Sequence, residues 1–282
     1  MDLSQFVRRF HSKIYRTVNR STHVSVEELR SSSDSGFYPE MVRRAALRSK
    51  LFENFKSDPV YRQILEHVSE EQGSRYIEHI EAMWPQLLKD IERYKVNDLV
   101  GNPIRYVYPQ IGKISPTTLR YLKVACDLRE LFGNLDGMNI AEIGIGYGGQ
   151  FLLADRLWKL GSSTLFDLDP VLQLANRYLE SHMVQSVYKP TTLNRFDARL
   201  KQFDLAISNY AFSELPKALQ QGYIDKVLSK SRRGYMTMNS GKTTGDGRHM
   251  TIEELREHFP ALKVLAEEPL TCADNYIVVW GG

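Results

Sequence analysis

The sequence predicts an α/β fold: a doubly wound, seven-stranded, mostly parallel sheet with an antiparallel final hairpin, preceded by a helical N-terminal region. Three observations predict it. From residue 138 onward, short β-rich runs alternate with helical stretches, the pattern of a parallel sheet. A glycine loop, IAEIGIGYGGQ over 140–150, follows the first of those runs directly. Before residue 97 the apolar residues recur at helical spacing in a background rich in Arg, Glu and Gln.

The elements follow in order. Phe6, Phe10, Ile14 and Val18 mark one face of a helix, either buried against a partner surface or laid on a membrane surface. The run of Ser31, Ser32, Ser33, Asp34, Ser35 and Gly36 breaks the pattern as a loop. An irregular connector over 97–114 carries Tyr106 and Tyr108. Ser115 then caps a helix with Pro116 at its first position, and Gly133-Asn134 stops it. Strands are expected at 138–143, 163–168, 184–189, 203–208, 233–239, 262–267 and 275–280. Helices fall at 149–160, 170–182, 216–230 and 251–259. Asp169-Pro170 reads as a cap with proline behind it, and Thr251 with Glu254 forms a capping box. The last two strands are joined only by PLTCAD, which makes them a hairpin. Residues 1–114 thus form a helical N-terminal region and connector, and 115–282 a sheet domain.

The chain has 282 residues, 42% hydrophobic and 25% charged, a globular composition. No apolar run is long enough for a membrane span, and MDLSQFVRRFHSK lacks the core of a secretory signal. Cys126 and Cys272 are far apart and give neither a disulfide framework nor zinc-ligand spacing. A cytoplasmic protein without a bound metal is the expectation. Ten Lys/Arg against five acids give residues 1–50 a charge of +5, and the rest of the chain sums to −2. That basic segment is either a solvated helical face or an attraction to an anionic partner such as a phosphate-bearing substrate or lipid headgroup.

Seven strands ending in a hairpin, with a glycine loop after the first, resemble the class I S-adenosylmethionine-dependent methyltransferases, a Rossmann-like family, over residues 116–282. Gly144, Gly146 and Gly149 also match the G-x-G-x-x-G dinucleotide fingerprint. Glu142 separates the two readings. It shares a strand face with Gly144 at the carboxyl end of the strand, where a pyrophosphate would meet a like charge in a partly dry cleft. S-adenosylmethionine brings a sulfonium and an ammonium, which suit a carboxylate. Asp167 ends the second strand, placed to accept from ribose hydroxyls. Tyr147 and Gly148 in the loop, Leu168 beside Asp167, and Asn209 at the end of the fourth strand complete the expected cofactor wall. Asp197 is either an acceptor for the adenine amine or a surface residue.

The acceptor is read from the loop SNYAFSEL. Enzymes that methylate exocyclic base amines carry an Asn/Asp-Pro-Pro-Tyr/Phe motif there, whereas this chain has Asn209-Tyr210-Ala211-Phe212. With weak net charge and no RNA-binding module, nucleic acid is not the expected partner. EIGIGYGGQ and SNYAFSEL, behind a helical N-terminal region and a GNP…SPTTLRYL lead-in, resemble a bacterial group described as sugar O-methyltransferases. That resemblance implies methyl transfer to a hydroxyl of a carbohydrate, or of a nucleotide- or lipid-linked sugar, in surface polysaccharide or glycolipid synthesis. Peripheral membrane contact and self-association are compatible with it.

A sugar hydroxyl is a weak nucleophile, so a general base is expected. Loops at the strands' carboxyl ends offer His249 and Glu214 as catalytic candidates, with Lys242 and Asp274 nearby. Tyr210, Ser213, Tyr106 and Tyr108 are candidates to hold the acceptor. Each has a plainer structural reading, as a surface histidine, a helix-start acid or packing tyrosines. Two other classes compete. An NAD-dependent sugar oxidoreductase would want a Tyr-x-x-x-Lys pair, which the chain lacks, and a catalytically silent methyltransferase-like binding protein would keep the motif without turnover.

Overall fold

The computed structural model describes residues 37–200, 202–242 and 247–281, so the stripe Phe6, Phe10, Ile14 and Val18 and the serine-rich loop lie outside the described residues. Helix starts follow their capping chemistry. Helix α1 (Tyr38–Leu47) carries Pro39 in its first turn, and α2 (Ser49–Phe52) follows at once. At α3 (Pro59–Ile64), the Asp58 carboxylate accepts from the Val60 and Tyr61 amides. A full capping box of Ser69 and Gln72 opens α4 (Glu70–Met83). Two short helices, α5 (Gln86–Lys89) and α6 (Ile91–Tyr94), lead to a small hairpin of β1 (Tyr106–Tyr108) and β2 (Gly112–Ile114). The connector expected to be irregular is therefore partly regular.

Ser115 caps α7 (Pro116–Phe132) as expected, its Oγ accepting from the Thr118 amide at 3.2 Å. There follow β3 (Asn139–Ile143), α8 (Gly149–Leu157), β4 (Ser162–Phe166), α9 (Asp169–Glu180), β5 (Tyr188–Thr191) and β6 (Leu205–Asn209). The chain ends with α10 (Ala211–Glu214), α11 (Lys217–Lys226), β7 (Gly234–Met238), α12 (Ile252–His258), β8 (Lys263–Ala266) and β9 (Tyr276–Trp280). The sheet order is β5-β4-β3-β6-β7-β9-β8, parallel except for β9, which runs antiparallel to both neighbours. This is the expected seven-stranded, doubly wound layout.

Two expectations shift. The third strand lies at Tyr188–Thr191, not 184–189, because it is Tyr188–Thr191 that registers with Ser163–Phe166. It is the sheet's edge strand, where Pro190 and its missing amide hydrogen are tolerated. Asp169 is not a cap: Leu168 holds that position, and the Asp169 carboxylate pairs with Arg195.

Both sheet faces are buried, and strand alternation sorts the core. Ile140, Leu165, Leu205, Ile207 and Tyr235 face a core shared with α7, α8, α9 and the N-terminal helices. Ala141, Ile143, Phe166, Met236 and Val278 face a second core with α11 and α12. The N-terminal region is thus part of the first core. Lys56 shows how: its side chain is fully buried, with Nζ 4.1 Å from the Tyr147 ring centroid and 4.7 Å from that of Tyr178. The ammonium also donates to the Asn97 carbonyl, and burial pulls its pKa down to about 8. Asp98, next in sequence, accepts from Ser115 N (2.6 Å), Ser115 Oγ (2.6 Å) and Thr118 Oγ1 (2.7 Å), fastening the connector to the start of α7. Among the described residues no helix is long and apolar enough to cross a membrane.

Candidate active site

Strand β3 is the point where the winding reverses: the chain steps from β3 out to β4 and β5, then returns to β6 on the other side. A doubly wound sheet opens its ligand crevice at that point, beyond the strands' carboxyl ends. Two loops meet there. The glycine loop follows β3, and Tyr210 with α10 follows β6. Gly144 has φ +76°, and a Cβ on it would lie 2.0 Å from the Ala211 Cβ, so only glycine lets the loops touch. Gly148 sits left-handed at φ +93° as the N-cap of α8, turning the chain into the helix.

The crevice is a cavity of about 560 Å³, within the roughly 300–1,000 Å³ of small-molecule sites. Glu142 is in its wall, 5% exposed, on the sheet face that meets the N-terminal region. Burial, with the Asp167 carboxylate as the second cause, pushes the Glu142 carboxyl up to about 8. Asp167 is fixed beside it: Oδ2 accepts from the Gly146 amide at 3.0 Å and Oδ1 from the Leu168 amide at 2.8 Å. Leu168, Gly144, Gly146 and Asn209 line the cavity too. At the far end Thr192, Leu193, Asn194, Arg195, Leu219 and Tyr223 form a part-apolar shelf.

The chemistry of this wall fits S-adenosylmethionine. An uphill buried carboxylate is relieved by an adjacent cation, Asp167 holds acceptor oxygens at the rim, and the glycines permit close backbone approach. The N-terminal helices supply part of the wall as well, since Tyr38 of α1 and Ile64 and Leu65 at the end of α3 line the same cavity. Glu214 lines it from α10 with Oε1 accepting from the Asn239 side-chain amide at 3.0 Å. Tyr210 stands at φ 67°, ψ −37°, an unusual backbone for a non-glycine, held by its hydroxyl donating to the buried Glu267 at 2.5 Å.

Other expected site residues lie elsewhere. Tyr147 is fully buried in a ring cluster with Phe55, Tyr61, Tyr121 and Tyr178 and points away from the cavity, as does the position of Gly148, which packs on Leu179. Tyr108 is buried with its hydroxyl donating to the Glu70 carbonyl at 3.2 Å, and Tyr106 pairs with Ile114 in the small hairpin; neither lines the cavity. Ser213 Oγ lies 2.7 Å from both the Tyr210 carbonyl and Asn239 Oδ1, which makes it a brace of the loop. His249 places Nδ1 3.0 Å from the Leu215 carbonyl, behind the wall. Asp197 is bound by Arg199 and is not among the lining residues; Lys242 and Asp274 are not either. Among the described residues no cluster of three His, Cys, Asp or Glu could hold a metal.

Sequence reasoning missed Tyr38, Arg120, Tyr121 and Gln150, all in the wall. In the fold residues 116–128 of α7 are buried throughout, a burial that no spacing in SPTTLRYL signals.

No family model matches the chain, and no curated protein matches it. Solved structures do. The chain is similar to the methyltransferase domain of bacterial CtHen1, at 16% identity over 57% of this chain and 96% of that one, with a TM-score of 0.42. It is similar to magnesium protoporphyrin IX methyltransferase from Synechocystis PCC 6803 with bound S-adenosylmethionine, at 10% identity over 75% and 97%, TM-score 0.44. A third is an rRNA methylase from Streptococcus thermophilus, at 16% identity over 52% and 87%, TM-score 0.37. These are likenesses of chain layout, and the chemistry of the site rests on this chain's own residues.

Proposed function

We propose that the protein is an S-adenosylmethionine-dependent methyltransferase. The observation that carries the reading is Glu142, a buried carboxylate beside a glycine turn with its pKa pushed up to about 8. A pyrophosphate there would bring two further negative charges against Asp167 and against Glu142, whose ionisation burial already opposes. A sulfonium and an ammonium instead favour the ionised carboxylates. Calorimetry with S-adenosylmethionine, S-adenosylhomocysteine and NAD tests this. Heat from the first two and none from NAD is expected, and tight NAD binding without an S-adenosylmethionine signal would refute it.

We infer further that the acceptor is a sugar hydroxyl. The loop Asn209-Tyr210-Ala211-Phe212 lacks the prolines of base-amine methylation, and the resemblance drawn from EIGIGYGGQ and SNYAFSEL supports a carbohydrate. The cofactor supplies a methyl group on a sulfonium, ready for in-line displacement. In this chain Glu142 and Asp167 hold the donor, while Tyr38, Leu65 and Tyr210 wall the acceptor and exclude water. Glu214 is the better base, because it lines the cavity and His249 does not. A Glu214 oxygen would take the proton of the acceptor hydroxyl as that hydroxyl receives the methyl group. Glu214→Gln should lower kcat by roughly a hundredfold with donor affinity unchanged. Labelled methyl found in RNA and in no glycan would end the sugar reading.

A further inference from the structure

Arginine is rarely fully buried without a partner, and it cannot shed its proton to escape the cost. Arg120 is 6% exposed and stands in the cavity wall, in the second turn of α7. One guanidinium nitrogen, Nη2, donates to the Leu65 carbonyl at 3.1 Å, but Nη1 is buried with no hydrogen-bond partner. Among the described residues no carboxylate forms an ion pair with it. Rings flank it, the guanidinium carbon lying 5.7 Å from the Tyr121 centroid and 5.8 Å from that of Tyr210, and the buried Glu66 carboxyl acts on it electrostatically without forming an ion pair. Rings soften a cation's burial but accept none of its N–H donors in line. A planar fork with an unused nitrogen, flanked by aromatic walls, matches a carboxylate or phosphate.

We propose that Arg120 anchors an oxyanion, a carboxylate or a phosphate, on a molecule bound in this cavity. Two sources share that chemistry. One is the donor's own α-carboxylate, and this arm rests on the methyl-transfer reading above. Glu142 and Arg120 in one wall would then grip the two charges of an amino-acid end. The other is an acid group on the acceptor, which needs only the cavity.

The test uses the full chain, with Arg120→Gln and Arg120→Lys. Each is titrated by calorimetry with S-adenosylmethionine and with the decarboxylated donor, and by thermal shift with inorganic phosphate. If the donor carboxylate is the ligand, wild type prefers the intact donor by at least tenfold, Arg120→Gln loses the preference, and Arg120→Lys keeps part of it. If the acid is on the acceptor, the preference is unchanged in Arg120→Gln, but stabilisation by phosphate disappears. Either result supports the anchor. Should Arg120→Gln fail to fold, Arg120→Lys reads the same two losses in reduced size. A folded Arg120→Gln that keeps both the donor preference and the phosphate effect overturns the proposal. If wild type binds neither donor, the methyl-transfer reading fails by itself, and the phosphate titration alone decides Arg120: loss in the variant supports it, and no loss overturns it.

Discussion

Replacing Glu142 by glutamine should stabilise the free protein at alkaline pH, and the gain should depend on pH in a defined direction. The carboxyl titrates near 4.5 when exposed and near 8 in the fold. A raised folded pKa means the folded state holds its proton longer than the unfolded state does. The advantage is complete below about 4.5 and is lost as pH rises through about 8. The interval between the two values corresponds to at most about 5 kcal/mol of lost stability at pH 9. Glutamine keeps the shape and never ionises, but burying its amide costs about 1–2 kcal/mol. A net gain of about 3 kcal/mol remains, or roughly 6–12 °C in Tm for a chain of this size. Thermal unfolding of both proteins from pH 4.5 to 9 measures it: the variant should melt slightly below wild type at the acid end, where only the amide cost acts, cross it as pH rises, and lie above it once pH passes about 8. A gap that does not change with pH, or a variant that melts below wild type at pH 9, would refute the reasoning. S-adenosylmethionine adds a second reading, because its positive charge should stabilise wild type at pH 9 more than it stabilises the variant.

Further outcomes follow from the same geometry. Gly144→Ala should destabilise by about 2–3 kcal/mol through its left-handed backbone and its clash with Ala211, and adding Ala211→Gly should recover only the clash; urea unfolding of the three proteins checks this. Asp167→Ala should weaken S-adenosylmethionine binding by about 1.5–3 kcal/mol in calorimetry, since it frees the Gly146 and Leu168 amides as well as losing an acceptor. Lys56→Ala should cost about 2–4 kcal/mol in urea unfolding, because it leaves a void among the rings of Phe55, Tyr147 and Tyr178. Tyr106→Ala and His249→Gln should leave donor affinity within about twofold, as neither side chain reaches the cavity.

What could be read in the sequence was whatever depends on neighbours in the chain. Strand alternation, the Ser115 and Thr251 caps and the glycine loop are short-range patterns, and they gave the layout with one strand displaced. Glu142 and Asp167 were legible for the same reason: alternation on a strand sets which way each points. The part of the cavity wall built by the N-terminal helices and α7 was not legible. Tyr38, Leu65 and Arg120 come together only when α1, α3 and α7 pack over the crevice, and no local spacing encodes that meeting. Tyr147 misled because a loop residue beside three glycines looks aimed at the ligand, whereas ring packing with Phe55 and Tyr178 draws it inward. His249 misled through its chemistry alone; its ring is engaged by a backbone carbonyl.

The burial of Lys56 between Tyr147 and Tyr178 bears on how the molecule breathes. The side chain belongs to the N-terminal segment, while its ring partners belong to the glycine loop and α9. Lifting residues 38–65 off the crevice would draw a charged group through that ring cluster and break its hydrogen bond to the Asn97 carbonyl, so the segment has no inexpensive open state. In native-state hydrogen exchange, amides of α1 and of the start of α8 should therefore exchange together, at the rate of whole-molecule unfolding. Ligands must enter and leave through the mouth of the crevice, and the size of that mouth, not a hinge, sets which molecules can reach Glu142 and Asp167.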